Sequence, residues 1–173
     1  MACGSCGTTV NGQPRGCQNN GTCGTDGCNK LTVFDWLANM SLPDGQEPFD
    51  FVEVRFKNGR KEFFKNVDNL QINIGEVLAV QAASGHDIGI VSLTGELVRI
   101  QMKKKKVPYN TDEFLKIYRK ANQKDVEIWQ EVKDREEAMK VRSRQIAIRL
   151  NLHMKISDIE FQGDGSKATF YYT

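Results

Sequence analysis

The sequence lacks most of the features that announce a function. Its 24 Lys and Arg nearly balance 22 Asp and Glu, leaving a net charge of +2. Bulk charge therefore does not call for a nucleic acid or an anionic membrane as partner. No apolar run approaches the about 20 residues that cross a bilayer, so no membrane insertion is expected. The residues after Met1 offer no apolar stretch of the kind a secretory signal needs, and a cytoplasmic, reducing compartment is the expectation. Histidine is scarce, with only His86 and His153. His86 stands beside Asp87 and close to Ser84, but a hydrolytic triad joins residues that are distant in sequence. Asp87 and Gly89 read better as the makings of a turn or bulge, and His153 as a surface residue. A P-loop, a dinucleotide glycine fingerprint and a zinc-protease motif are all absent. Gly163-Asp164-Gly165 is a turn signal, and Glu136-Glu137 on a charged helix suits intrahelical ion pairs. No enzyme is expected.

Cysteine is present but confined. Cys3, Cys6, Cys17, Cys23 and Cys28 all fall within the first 30 residues. An odd count in a reducing compartment argues against a closed disulfide framework. Thiolates are soft ligands suited to an iron–sulfur cluster or, alternatively, zinc. The Cys3-x-x-Cys6 spacing lets both sulfurs reach one metal, whereas the later gaps form no second pair of that kind. Gly, Asn, Thr and Ser surround them, and such a segment cannot bury enough apolar surface to offset its ordering entropy. Residues 1–30 therefore read as a disordered Cys/Gly-rich leader. It is either a metal or cluster ligand set, which would make the chain a redox protein, or a tail with incidental thiols.

Residues 31–49 read as a short docking segment and linker. Val33, Phe34, Trp36, Leu37 and Met40 fall near helical spacing, and Pro and Gly then break the pattern over 41–48. A small β-rich unit follows over 50–102. Val52, Val54 and Phe56 alternate with Glu53, Arg55 and Lys57, which is strand periodicity. Asn58-Gly59 predicts a type I′ hairpin turn, setting Arg55 opposite Glu62 and Val54 opposite Phe63. Further strands fit Val77–Ala82 and His86–Leu93 around Ser84-Gly85, and Leu97–Met102 adds another. Short strands with Gly-rich turns predict a curled antiparallel sheet or barrel.

Lys103, Lys104, Lys105 and Lys106 form a basic run before Pro108. A solvated, aggregation-resistant surface is the plain reading. A phosphate-binding patch is the sharper one, since Lys116, Arg119, Lys120 and Lys124 lie nearby and a basic cluster is an electrostatic footprint for nucleic acid.

A helix–hairpin unit is expected over 112–173. Asp112 caps a helix over 113–121, and a longer helix runs from about Lys124 to Leu150. Trp129, Val132, Met139, Ile146 and Leu150 give the long helix an apolar stripe, interrupted by Glu136 and Ser143. Met154–Phe161 and Ala168–Tyr172 then form a hairpin. Phe170 and Tyr172 lie on one of its faces and Tyr171 on the other. One face should pack on the stripe, leaving the other uncovered. The chain is thus α+β: a small antiparallel β-rich unit, then a long helix and a β-hairpin.

Four stretches of this layout resemble the polymerase-suppressor C-terminal domain family in its YaaT/RicT-type bacterial branch. They are Val52–Arg60 (VEVRFKNGR), Ala83–Gly89 (ASGHDIG), Ile117–Ala121 (IYRKA) with Asp125, and Leu152–Glu160 (LHMKISDIE) with Asp164–Tyr172 (DGSKATFYY). The leader ending in Cys28-Asn-Lys-Leu31 resembles leaders on some members. The resemblance implies a noncatalytic regulatory adaptor. Its partners would be small helical proteins in an iron–sulfur complex that affects RNA processing through an associated endoribonuclease. Relatives continue past the position of Thr173 with a cysteine-bearing segment, so the chain reads as truncated, and the family's cluster cysteines do not carry over onto it. The rival readings are an RNA-binding module using Lys103–Lys106 and a metal- or cluster-dependent redox protein.

Overall fold

In the computed structural model the described residues are 49–109 and 114–173, with the backbone of 9–10 and 13–14. Thr9–Val10 (β1) and Gln13–Pro14 (β2) pair antiparallel. The rest of the expected leader and the docking segment at 31–48 lie outside the described residues.

Phe51–Arg55 (β3), Lys61–Lys65 (β4), Val77–Gln81 (β5), His86–Leu93 (β6) and Ile117–Lys120 (β7) form one sheet. Their order is β4-β3-β6-β5-β7, and every pairing is antiparallel. The two outer strands meet where Lys65 and Lys116 form a parallel bridge, with the Lys65 N–H donating to the Leu115 carbonyl at 2.9 Å. The sheet therefore curls into a small barrel. Val52, Val54, Phe56, Phe64, Leu78, Val80, Val91 and Ile117 fill it, and Leu70, Ile72, Ile74 and Leu115 pack against them.

Two expected elements differ. Leu97–Met102 is no strand: Glu96–Lys104 is a helix, α1, burying Val98 and Met102. A strand would put Ile100 on the same side as those two, but Ile100 is 57% exposed, as the helical turn requires. The helix expected over 113–121 is replaced at Ile117–Lys120 by β7, because Ile117 is needed inside the barrel and β5 offers an open edge to pair. Asp112 and Glu113 themselves lie outside the described residues.

Helix α1 packs across β3, where Phe51, Leu93, Val98 and Met102 make a second core. Strand β3 is thus covered on both faces, and Glu53, which alternation placed outward, is fully buried.

The long helix, α2, spans Gln123–Arg149 and opens with a capping box. The Asp125 N–H donates to Asn122 Oδ1 at 2.9 Å, and the Asn122 N–H donates to Asp125 Oδ2 at 2.8 Å. Of the expected stripe only Val132 is buried; Ile146 and Leu150 are 42% and 62% exposed. The buried line runs instead through Val132, Glu136 and Ala147. Strands Ile156–Phe161 (β8) and Ala168–Tyr172 (β9) form the hairpin. Strand β8 lies along α2 with Ile156 and Ile159 buried.

Candidate functional site

The four stretches that carry the family resemblance are spread over more than 100 positions, yet three of them meet at one junction. There the turns of the barrel face α2 and the hairpin. The junction begins with a register slip. Arg55 pairs with Lys61 and Val54 with Glu62, one residue off the expected register. The Asn58-Gly59 turn itself forms as expected: both residues have positive φ (56° and 74°), and the Arg60 N–H closes onto the Lys57 carbonyl at 3.2 Å. The slip arises because the Phe56 N–H also donates to the Arg60 carbonyl, at 2.8 Å. Phe56 and Lys57 together oppose Arg60, which is a bulge. It frees Lys57 from the ladder and aims it at the second unit.

The Lys57 ammonium donates to Glu136 Oε2 at 2.7 Å, Asp158 Oδ1 at 3.1 Å and the Ile159 carbonyl at 2.6 Å. Glu136 completes the link by accepting the Phe161 N–H at 2.9 Å. Burial alone would lower the Lys57 pKa, but Glu136 and Asp158 outweigh it and hold the ammonium above its usual range. The Arg60 guanidinium donates to Glu62 at 2.5 Å and to Asp87 and Glu160 at 3.0 Å each. Its carbon stands 4.0 Å from the centre of the Phe56 ring. Glu160 also accepts the Tyr171 hydroxyl at 2.6 Å. The hairpin face bearing Asp158, Glu160 and Tyr171, expected to be uncovered, is therefore engaged by the barrel.

A third contact lies at the β5–β6 turn. Asp87 Oδ1 accepts the Gly163 and Ile88 N–H groups at 2.8 Å each. Burial pushes its carboxyl up against these hydrogen bonds and Arg60. Gly163 is needed there, since a Cβ would sit 2.5 Å from the Ile88 nitrogen. Gln162 donates to the Ser84 and His86 carbonyls, and the His86 N–H donates to Asp164. Ser84, His86 and Asp87 thus build this contact as a turn, not as a triad. The fourth stretch, at Arg119, closes on Asp125 at the start of α2.

These cations and carboxylates answer one another, so the junction is a fastening. It fixes α2 against the barrel and leaves the helix's far side outward. There Ala138, Val141, Arg142, Gln145, Ile146 and Arg149 form one surface patch. Sequence reasoning missed Lys57, Arg60 and Glu53 as key groups; Glu136 was visible only as a break in an apolar stripe.

The basic run divides. Lys103 and Lys104 end α1, and Lys106 follows at positive φ. Lys105 instead lies 3.6 Å from buried Glu53 and 4.9 Å from the Phe63 ring centre. Glu53 also accepts the Ser92 hydroxyl at 2.6 Å and pairs with Lys61 at 3.0 Å. Burial raises the Glu53 pKa, but Ser92, Lys61 and Lys105 together hold it below the usual carboxylate range. Lys105 is therefore committed internally, and the run is not four equivalent phosphate contacts.

Cys3, Cys6, Cys17, Cys23 and Cys28 lie outside the described residues. Among the described residues no group of three or more His, Cys, Asp or Glu is placed to hold a metal ion, and no helix is long and apolar enough to cross a membrane. No curated protein and no solved structure matches the chain. Residues 115–173, which supply β7, α2 and the hairpin, match the family described as the PSP1 C-terminal conserved region, in support of the resemblance to the polymerase-suppressor C-terminal domain family.

Proposed function

We propose that the protein is a noncatalytic regulatory adaptor that holds a helical partner protein within a cytoplasmic complex affecting RNA processing, as in the YaaT/RicT-type branch it resembles. The observation that supports this is the outward face of α2. Val141 and Ile146 are 46% and 42% exposed there, and Arg142 and Arg149 lie on the face between them. A face that sets arginines between exposed apolar side chains suits a helix bringing acidic and apolar groups together. The junction supports the same reading, because a docking helix must be held still if its partner is to be presented in one orientation. In this proposal the leader cysteines hold the complex's iron–sulfur cluster, or zinc, and an endoribonuclease is the complex's associate.

The test uses the complex itself. The helical partner isolated with the full chain is purified and titrated against wild type and against Ile146→Asp/Arg149→Glu. At least a tenfold loss of affinity is expected, with an unchanged melting temperature. Unchanged affinity would sink the reading.

A further inference from the structure

The barrel's closing seam carries a pattern that the fastening and the outward face of α2 do not use. Phe64 points into the barrel, so its strand neighbour Lys65 lies on the outer face. Ile117 points inward likewise, so Lys116 and Tyr118 lie outward; the strand bulges after that, and Lys120 pairs with inward-facing Leu78. The parallel bridge between Lys65 and Lys116 sets these two outer faces side by side. Tyr118 is 48% exposed and lies two residues from Lys116 on the same outer face. On the other side of Lys65 a second exposed ring continues the row. Lys65 is 6.0 Å from the Phe51 ring centre, Phe51 lies tilted against Phe49 at 5.2 Å, and Tyr109 meets Phe49 edge-on at 5.7 Å. Arg99 covers Phe49 at 4.8 Å.

We infer that this seam is a track for single-stranded nucleic acid, with Tyr118 and Tyr109 stacking bases and Lys65, Lys116 and Arg99 following the phosphates. Cations interleaved with exposed aromatics are what a single strand requires, because every base has a face to stack and every linkage a charge. A duplex hides those faces and fits poorly. Two of the cations have surface carboxylates nearby: Lys65 with Asp50 at 3.7 Å and Arg99 with Glu96 at 3.3 Å. Exposed pairs of this kind hold by less than about 1 kcal/mol, so a phosphate can displace them. Lys105, by contrast, answers a buried carboxylate. This places the nucleic-acid surface on the seam and away from the lysine run.

The full chain is titrated with a fluorescently labelled oligouridylate of about 12 nucleotides, long enough for one such site, at several salt concentrations. Affinity should fall with salt with a log–log slope near −2, as about three phosphate contacts give for a single strand. Tyr118→Ala should weaken binding about tenfold, the loss of one stacked base, while Tyr118→Phe binds as wild type. Lys116→Gln should reduce the salt slope by about 0.7. Replacing Lys103, Lys104 and Lys106 together by Gln should change affinity by less than about threefold, as for residues off the phosphate path. Absence of saturable binding at low salt would overturn the inference. So would a well-folded Tyr118→Ala that binds like wild type, a loss that follows the lysine run, or equal affinity for a duplex. If Tyr118→Ala does not fold, Lys116→Gln and the slope decide the matter.

Discussion

The two ends of α2 have the same kind of sequence and opposite fates. The first half is capped by Asn122, braced by Arg119 on Asp125, and pinned by Val132 and Glu136. The second half buries only Ala147, with Arg144 donating to the Ile156 carbonyl at 2.8 Å. Val141, Ile146, Ile148 and Leu150 stay exposed around it. Propensity does not separate the halves, since both are rich in good helix formers. What separates them is the barrel, whose turns reach Glu136 and go no further. Half the helix is thereby fixed and the other half is offered.

The sharpest way to break this contrast is to remove the pin. Glu136→Ala leaves the Lys57 ammonium with one fewer carboxylate and the Phe161 N–H without its acceptor. Losing one partner of a largely buried pair costs about 3 kcal/mol or more. Ile148→Ala, at a side chain 78% exposed, should cost less than about 0.5 kcal/mol. Urea unfolding of the two variants measures the difference. Equal losses would mean that the two halves are held alike.

The fold class and most of its elements were legible because they rest on local signals. Asn58-Gly59 gave the turn, alternation gave β3, and the charged 27-residue helix came out within a residue of its ends. What failed depended on distant partners. The bulge at Phe56-Lys57 requires knowing where Lys57 is going, and Glu136 lies 79 residues away. Glu53 satisfies strand alternation as an outward residue until α1 covers that face. Ile117–Lys120 offers a charged strip that suits helix or strand locally, and only the open edge of β5 decides it. The same limit hid half of the seam: Lys116 stood in the basic cluster read beside the lysine run, but nothing local ties it to Lys65, far away in sequence.

A smaller effect sharpens the comparison at the fixed end. Asn122→Ala removes the side-chain acceptor of the capping box and leaves the Asp125 N–H unanswered at a helix start. The loss should be about 1 kcal/mol. Amide exchange should rise across the first turns of α2, with the residues after Ala147 already fast in wild type. Slow exchange at both ends in the wild-type chain would erase the distinction between a pinned half and an offered one.

The smallest expected effect is at the hairpin, where Tyr171 reports on the fastening from the other side. Its hydroxyl donates to Glu160, and that hydrogen bond, aided by burial, pushes its pKa up to about 12. An unfolded tyrosine titrates near 10. A folded pKa above the unfolded one means that the protonated phenol stabilises the fold. That contribution is complete below about pH 10 and disappears as pH rises through about 12. Tyr171 is partly exposed, so the contribution should be about 1 kcal/mol or less at neutral pH. Lys57, whose pKa is also raised, loses stability over the same alkaline range, so the wild-type curve alone cannot assign the effect. The difference between wild type and Tyr171→Phe can, because the phenylalanine keeps the ring and Lys57 is common to both. The stability gap should be present at pH 8 and close by pH 12. Tyrosinate absorbance should show the highest-titrating phenol missing from the variant. A gap that persists unchanged to pH 12 would place the Tyr171 contribution in ring packing and remove Glu160 from its account.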